Sequence, residues 1–208
     1  MNIKLIDNFL NEHDLKEIQS LNLTAVKKNE VKVYHNSIDK NNKVKSECIN
    51  SDTIIRLHRN YHKKAINVLR ELNSAKIDLY EYSEFHIIET GANCQFPIHD
   101  DTPNKLLSGV IYINPESNSG TKFYKTKKGE GEKTVEWKIN RGVFFSRKER
   151  ETWHSYRGDG NSNRIALVYN LMTTRIKEVF EIEKKSYLIG NFRYKINPYI
   201  YKFFKFTI

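Results

Sequence analysis

The sequence predicts a mainly β domain braced by N-terminal helices, of the sandwich, jelly-roll or barrel kind. From about residue 76 onward the hydrophobic period changes from 3.6 to 2, and β-branched and aromatic residues fall into short runs. Turn-forming stretches separate those runs: NPESNSG at 114–120, KKGEGE at 127–132, INRG at 139–142 and RGDGNSN at 157–163. The chain has 208 residues, enough to bury on the order of 70% of its unfolded surface without disulfide or metal staples.

The elements follow in order. A short apolar strand, Ile3 to Ile6, leads into a helix over 11–22, with Asn11 as N-cap, Asp14 three residues later, and Leu15, Ile18 and Leu21 on one stripe. A longer helix is expected over 52–72, where Ile54, His58, Tyr61, Ala65, Val68 and Leu72 share a face. Strands are expected near 77–90, 94–100, 106–113, 121–125, 133–139, 142–146, 152–156 and 163–172. The whole chain, 1–208, reads as one domain. Residues 1–75 supply the bracing part, 76–172 the β core and 173–208 an aromatic, basic extension ending YIYKFFKFTI. That tail suits aromatic strands or a helix closing over the core better than a membrane-surface or partner patch.

Composition excludes several classes. The mean hydropathy is −0.67 and no run of 18 apolar residues occurs, so no membrane span is expected. The opening MNIKLIDNFLNEHD has acids where a signal peptide needs an apolar stretch, which points to a cytoplasmic protein. Cys48 and Cys94 lack C-x-x-C spacing and read as free thiols. The net charge of +10 suggests an anionic partner, but 25 of the 35 basic residues are Lys. Nucleic-acid recognition favours Arg forks, so a nucleic-acid partner is not the preferred reading. The oligomeric state is not legible.

Seven histidines need sorting. His58 and His62 lie four apart on a helix, as two zinc ligands would, but the Glu of H-E-x-x-H is missing and packing explains them. His13, His35 and His86 have no evident partner and read as structural. In FPIHDD, an extended backbone puts His99 and Asp101 on one face and Asp100 on the other. That supplies two thirds of a facial 2-His-1-carboxylate set. Further along, ETWHSY presents His154 on a strand-like segment just before a Gly-containing turn, where a barrel can bring a third ligand. Arg164 opens RIALVYNL, whose alternation groups Arg164, Ala166, Val168 and Asn170 on one face and Ile165, Leu167, Tyr169 and Leu171 on the other. Such an Arg either meets a buried anion or faces water from an edge; spacing does not choose.

These residues, His99-x-Asp101, His154 and Arg164 across GVIYINPESNSGTKFY and GVFFSRKERETWHSYRG, resemble the iron(II), 2-oxoglutarate-dependent oxygenases, and most closely their prolyl 4-hydroxylase-like branch. The resemblance covers about 76–172 and extends to the opening KLIDNFLNEHDLKEI. It implies a double-stranded β-helix, a jelly-roll or cupin-like barrel with the metal at its mouth. By that match His99, Asp101 and His154 bind Fe(II), and Arg164 pairs with the distal carboxylate of 2-oxoglutarate. Tyr112 and Ser108 match the Tyr and small hydroxyl residue that the family uses on the strand after H-x-D. Many prolyl hydroxylases have a Tyr ten residues before the metal His. That position is Glu89 here, so either Glu89 turns away from the cosubstrate or the local alignment shifts.

The implied activity is hydroxylation of a small-molecule or peptide substrate with O2, forming succinate and CO2, with ascorbate as a supporting reductant. Three protein ligands leave three positions on an octahedral iron, two for the keto acid and one for O2. Halogenating relatives replace the carboxylate ligand with a small residue, so Asp101 favours hydroxylation. Phe96, Asp100, Trp153, Tyr156, Arg157 and Asn170 flank the set and are substrate-side candidates. A nucleic-acid dealkylase of the same superfamily would have a second Arg six residues after the first, where Asn170 stands. A non-catalytic cupin-like metal-binding module is the alternative from another class. A zinc hydrolase lacks a Glu placed as general base.

Overall fold

A computed structural model describes residues 2–204, with the main chain alone for 201–204; the final residues of the YIYKFFKFTI tail lie outside the described part. The chain opens with β1 (Lys4–Ile6) and α1 (Glu12–Gln19), passes through β2 (Val31–Tyr34), β3 (Ser37–Asp39) and β4 (Val44–Lys45), and reaches α2 (Ser51–Asn73). The β core follows as β5 (Tyr82–Thr90), β6 (Gln95–His99), β7 (Lys105–Asn114), β8 (Lys122–Tyr124), β9 (Lys133–Thr134), β10 (Gly142–Phe145), β11 (Trp153–Arg157) and β12 (Arg164–Met172). Two helices close the described chain, α3 (Ile176–Ile182) and α4 (Tyr187–Phe204).

Two antiparallel sheets result. The larger runs β1-β10-β7-β12-β5-β3-β4, with β2 also on β5, and the smaller runs β6-β11-β8-β9. From β5 to β12 the chain alternates between the sheets, the β8–β9 hairpin apart, which is the winding of a double-stranded β-helix with two open-edged sheets.

Period-2 burial decides which way each strand faces. On β12, Leu167, Tyr169 and Leu171 join Phe85 and Ile87 of β5 in the main core, beneath Ile54, Leu57, Ala65, Val68 and Leu69 of α2. Each such side chain contributes about 1.5–3 kcal/mol when fully buried. The opposite face lines the space between the sheets, where Tyr112, Phe123, Val135, Trp137, Val143 and Phe145 form a second cluster. Gly109 permits the close approach of β7 to its neighbours. A Cβ there would lie 2.4 Å from the Phe144 ring and 2.6 Å from the Tyr169 carbonyl oxygen.

Helix α1 starts as the sequence requires, with the Asn11 side chain accepting from the Asp14 amide at 2.7 Å. Asp14 then ties α1 to α2, accepting from Tyr61 Oη at 2.6 Å and Arg56 Nε at 2.9 Å. His58 and His62 stack at 4.5 Å, and His58 pairs with the Tyr80 hydroxyl, so they pack as expected. Both cysteines are free.

Two expectations are corrected, and three short strands are added. Residues 74–79 form a 3-10 turn, closed by the Tyr80 amide on the Ile77 carbonyl, and the strand begins only at Tyr82. The strand expected over 133–139 pairs only at Lys133–Thr134. Beyond it Val135 and Trp137 are buried for packing, Trp137 stacking on Tyr112 at 4.3 Å. Strands β2 to β4 were not expected: each is only two to four residues long, and they take their places by pairing, β2 and β3 on β5 and β4 on β3.

A buried ion network docks the C-terminal helices. Glu183 accepts from Lys76 Nζ at 2.6 Å and Arg147 Nη1 at 2.8 Å, while Glu149 pairs with Arg147 and Arg193. Glu183 and Lys76 have fully buried side chains. Replacing Glu183 by Gln keeps the volume but leaves the buried Lys76 without a carboxylate and Arg147 with Glu149 alone, so unfolding in urea should show a loss of about 3–5 kcal/mol. A loss under 1 kcal/mol would mean that the network contributes little.

Candidate active site

The site lies where the smaller sheet faces the larger one. His154 on β11 is in register with His99 at the end of β6, and their rings approach to 4.3 Å between centroids. Asp101 follows two residues beyond His99. Ligand atoms of His99, Asp101 and His154 all lie within 4.8 Å of one another.

Local hydrogen bonds orient each group. His99 Nδ1 lies 2.8 Å from the Pro97 carbonyl and His154 Nδ1 lies 3.0 Å from the Thr152 carbonyl. A carbonyl only accepts, so each Nδ1 carries the proton and each Nε2 keeps its lone pair, the tautomer a metal needs. Burial and the neighbouring His99 push His154 down to about 4, so it is neutral at physiological pH. Burial alone would raise Asp101, but the Lys105 ammonium outweighs it and holds the carboxyl well below the usual range. Lys105 Nζ donates to Asp101 Oδ1 at 2.7 Å and Ser108 Oγ to Oδ2 at 2.5 Å. Arg147 Nε holds the Asp101 carbonyl at 3.1 Å, linking the ion network to the site.

A second feature lies on the same inner face. Arg164 is 5% exposed, and its Nε and Nη1 find no hydrogen-bond partner. Its guanidinium stacks on Tyr156 at 3.6 Å. Burial pushes the guanidinium below its ordinary value, with only partial relief from Tyr156 and Tyr112. Unmet donors on a buried cation are costly, and a carboxylate with its matching fork is the group that would satisfy them. Of the two roles spacing left open for Arg164, the structure selects the buried one.

The register also resolves Glu89. Arg164 is opposite Thr90 and Ile165 is opposite Glu89, so Glu89 projects from the other face of β5, where Oε1 accepts from the Val26 amide at 3.1 Å. Thr90, whose buried Oγ1 has no partner, takes the position beside Arg164.

The other expected residues divide. Tyr112 is buried on the inner face, its hydroxyl donating to Thr121 Oγ1 at 2.9 Å. Ser108 shares that face but engages Asp101. Phe96 and Asp100 line a cavity of about 310 Å3 that opens onto His99 and Asp101 and is roofed by Gly190, Arg193, Tyr194 and Pro198 of α4. A helix over the barrel mouth is therefore the form that residues 187–204 take. Tyr156 belongs to the Arg164 end. Asn170 lies on the inner face and donates to Glu84. Trp153 and Arg157 are not brought to the site: odd-numbered positions of β11 face away from His154, Trp153 buried and Arg157 exposed. Sequence reasoning missed Lys105, Thr90 and Glu84. Lys105 had the signal of lying four residues after Asp101, whereas Thr90 and Glu84 depend on a register that only pairing defines.

No protein-family model matches the sequence, and no curated protein matches it. Solved structures do. A prolyl-4-hydroxylase from Pseudomonas putida aligns at TM-score 0.53 and 15% identity, over 82% of this chain and 92% of that one. A 2OG-Fe(II) oxygenase family oxidoreductase from Burkholderia pseudomallei aligns at 0.55 and 16%, over 82% and 84%. A prolyl hydroxylase from Trichoplax adhaerens, in complex with a hypoxia inducible factor peptide fragment, aligns at 0.56 and 13%, over 85% and 86%. The chain therefore has the double-stranded β-helix fold of the 2OG-Fe(II) oxygenases, in the form seen in prolyl hydroxylases. Among the described residues, no helix is long and apolar enough to cross a membrane.

Proposed function

We propose that the chain is an Fe(II)- and 2-oxoglutarate-dependent dioxygenase that hydroxylates a small-molecule or peptide substrate. The observation that carries this reading is the buried, unpartnered guanidinium of Arg164 on the inner face shared with the His99, Asp101 and His154 cluster. A non-catalytic metal-binding barrel gives no reason to leave that cation unpaired.

In this reading His99 Nε2, His154 Nε2 and the Asp101 carboxylate hold ferrous iron, a neutral-imidazole and carboxylate set suited to it. Arg164 holds the distal carboxylate of 2-oxoglutarate, with Tyr112 and Thr90 beside it. When bound, the metal and cosubstrate supply O2 activation, with succinate and CO2 as coproducts. The chain's own residues orient and protect. The two main-chain carbonyls hold the imidazole tautomers, and Ser108 and Lys105 keep Asp101 ionised and aimed. Phe123 and Phe145 pack near His154, at 6.0 and 4.9 Å between ring centroids, and keep bulk water from that side. The cavity of about 310 Å3 beneath α4 has the size for a small molecule or one peptide side chain.

The test uses the purified chain with Fe(II) and 2-oxoglutarate. Without oxygen, the ternary complex should show a weak visible charge-transfer band. With air and ascorbate, slow uncoupled succinate formation should follow. Absence of both outcomes would favour the cupin-like module.

A further inference from the structure

The inner face of β5 and β12 carries a second group of polar side chains, apart from Arg164 and the three candidate ligands. Strand β5 alternates in burial: Ser83, Phe85 and Ile87 enter the helix-side core, while Tyr82, Glu84, His86 and Ile88 are half-buried on the inner face. Register places Asn170 of β12 directly opposite Glu84. Asn170 Nδ2 donates to Glu84 Oε2 at 3.0 Å, and His86 Nε2 lies 3.3 Å from the same oxygen.

The protonation pattern follows from the hydrogen bonds. The Asn36 amide donates to His86 Nδ1 at 3.2 Å, so Nδ1 carries no proton and Nε2–H faces Glu84. His86 thus presents Nε2 to the same oxygen that Asn170 holds. Lys105, a further charged neighbour of Glu84, is committed to Asp101 at 2.7 Å. Burial opposes ionisation of Glu84, yet the bonds from His86 and Asn170 hold its carboxyl below the usual range.

Unmet groups here are all acceptors. Asn170 is 1% exposed and its Oδ1 has no partner. Asn104 Oδ1 also has none, and Asn104 pairs with Tyr82 on the same side of the mouth. A buried acceptor without a donor is costly, so the complementary ligand brings several N–H groups and a positive charge. An aliphatic ammonium has three donors and no acceptor.

We propose that Glu84 and Asn170, with Asn104 at the rim, form a subsite for a protonated amine of the primary substrate, a free amino acid or a basic side chain. The assignment rests on the oxygenase reading for its chemistry but makes a claim about binding that is testable alone. In it, the anchored amine sets which carbon faces the metal ligands.

Three probes of similar shape separate the sources of the amine: Nα-acetyl-lysine amide has only a side-chain ammonium, norleucine amide only an α-ammonium, and Nα-acetyl-norleucine amide neither. Calorimetry on the full chain, with and without anaerobic Fe(II) and 2-oxoglutarate, should show one cationic probe binding on the order of tenfold or more tighter than the uncharged one. Glu84→Gln, checked for an unchanged melting temperature, should remove that preference, and Glu84→Asp should restore part of it. Equal binding of all three probes to the wild-type chain overturns the subsite whether or not a variant folds, as does a preference that survives Glu84→Gln. The two readings separate through succinate. A cation preference with no succinate formed keeps the subsite and removes the oxygenase. Succinate stimulated by the uncharged probe alone keeps the oxygenase and removes the subsite.

Discussion

His154→Ala abolishes succinate formation and Fe(II) retention together. Losing a group that merely supports a metal ligand costs about 10–100-fold in affinity or activity, so losing one of three ligands should exceed that range. The change should leave the fold intact, because the residue is half-buried on the inner face and belongs to neither apolar cluster. Mass spectrometric succinate assay and equilibrium Fe(II) binding, beside far-ultraviolet circular dichroism, make the comparison. More than a tenth of wild-type succinate formation in the variant would mean that His154 is not a ligand.

Arg164→Met separates cosubstrate from metal. The 2-oxoglutarate concentration for half-maximal turnover should rise on the order of 100- to 1,000-fold, the effect of removing one partner of a buried, charge-assisted pair. Fe(II) affinity should not change, because Arg164 contacts none of the three ligand side chains. A third readout excludes a structural role. The ligand-free wild type bears the cost of a 5% exposed guanidinium with two unpartnered nitrogens. Its apolar replacement should therefore melt at an equal or higher temperature without cosubstrate. It should also lose the stabilisation that 2-oxoglutarate gives the wild type. A variant that melts lower and keeps its 2-oxoglutarate requirement would make Arg164 a packing residue.

Both predictions use residues legible before any coordinates. The alternation in RIALVYNL separates Arg164 and Asn170 from Leu167, Tyr169 and Leu171, and the structure keeps that division. The same rule applied to ETWHSY would have set Trp153 and Arg157 apart from His154. Nearness along a strand is not nearness in space, because adjacent side chains leave opposite faces. Glu89 shows the converse. Counting back ten residues from His99 lands on an acid, but the ladder puts Thr90 opposite Arg164 and turns Glu89 outward.

The order of apolar and polar residues was sufficient for the strand and helix periods, the two bracing helices, the inner and outer faces of β12 and the His99-x-Asp101 pair, because period and facing are local properties of backbone geometry. Only three-dimensional pairing set His154 against His99, brought Ser108 and Lys105 to Asp101, Thr90 to Arg164 and Glu84 to Asn170, and laid α4 over the mouth through the Glu183 and Arg147 network. Those relations depend on interstrand register and on which charged groups share a low-dielectric interior, and neither quantity is written in any short stretch of chain.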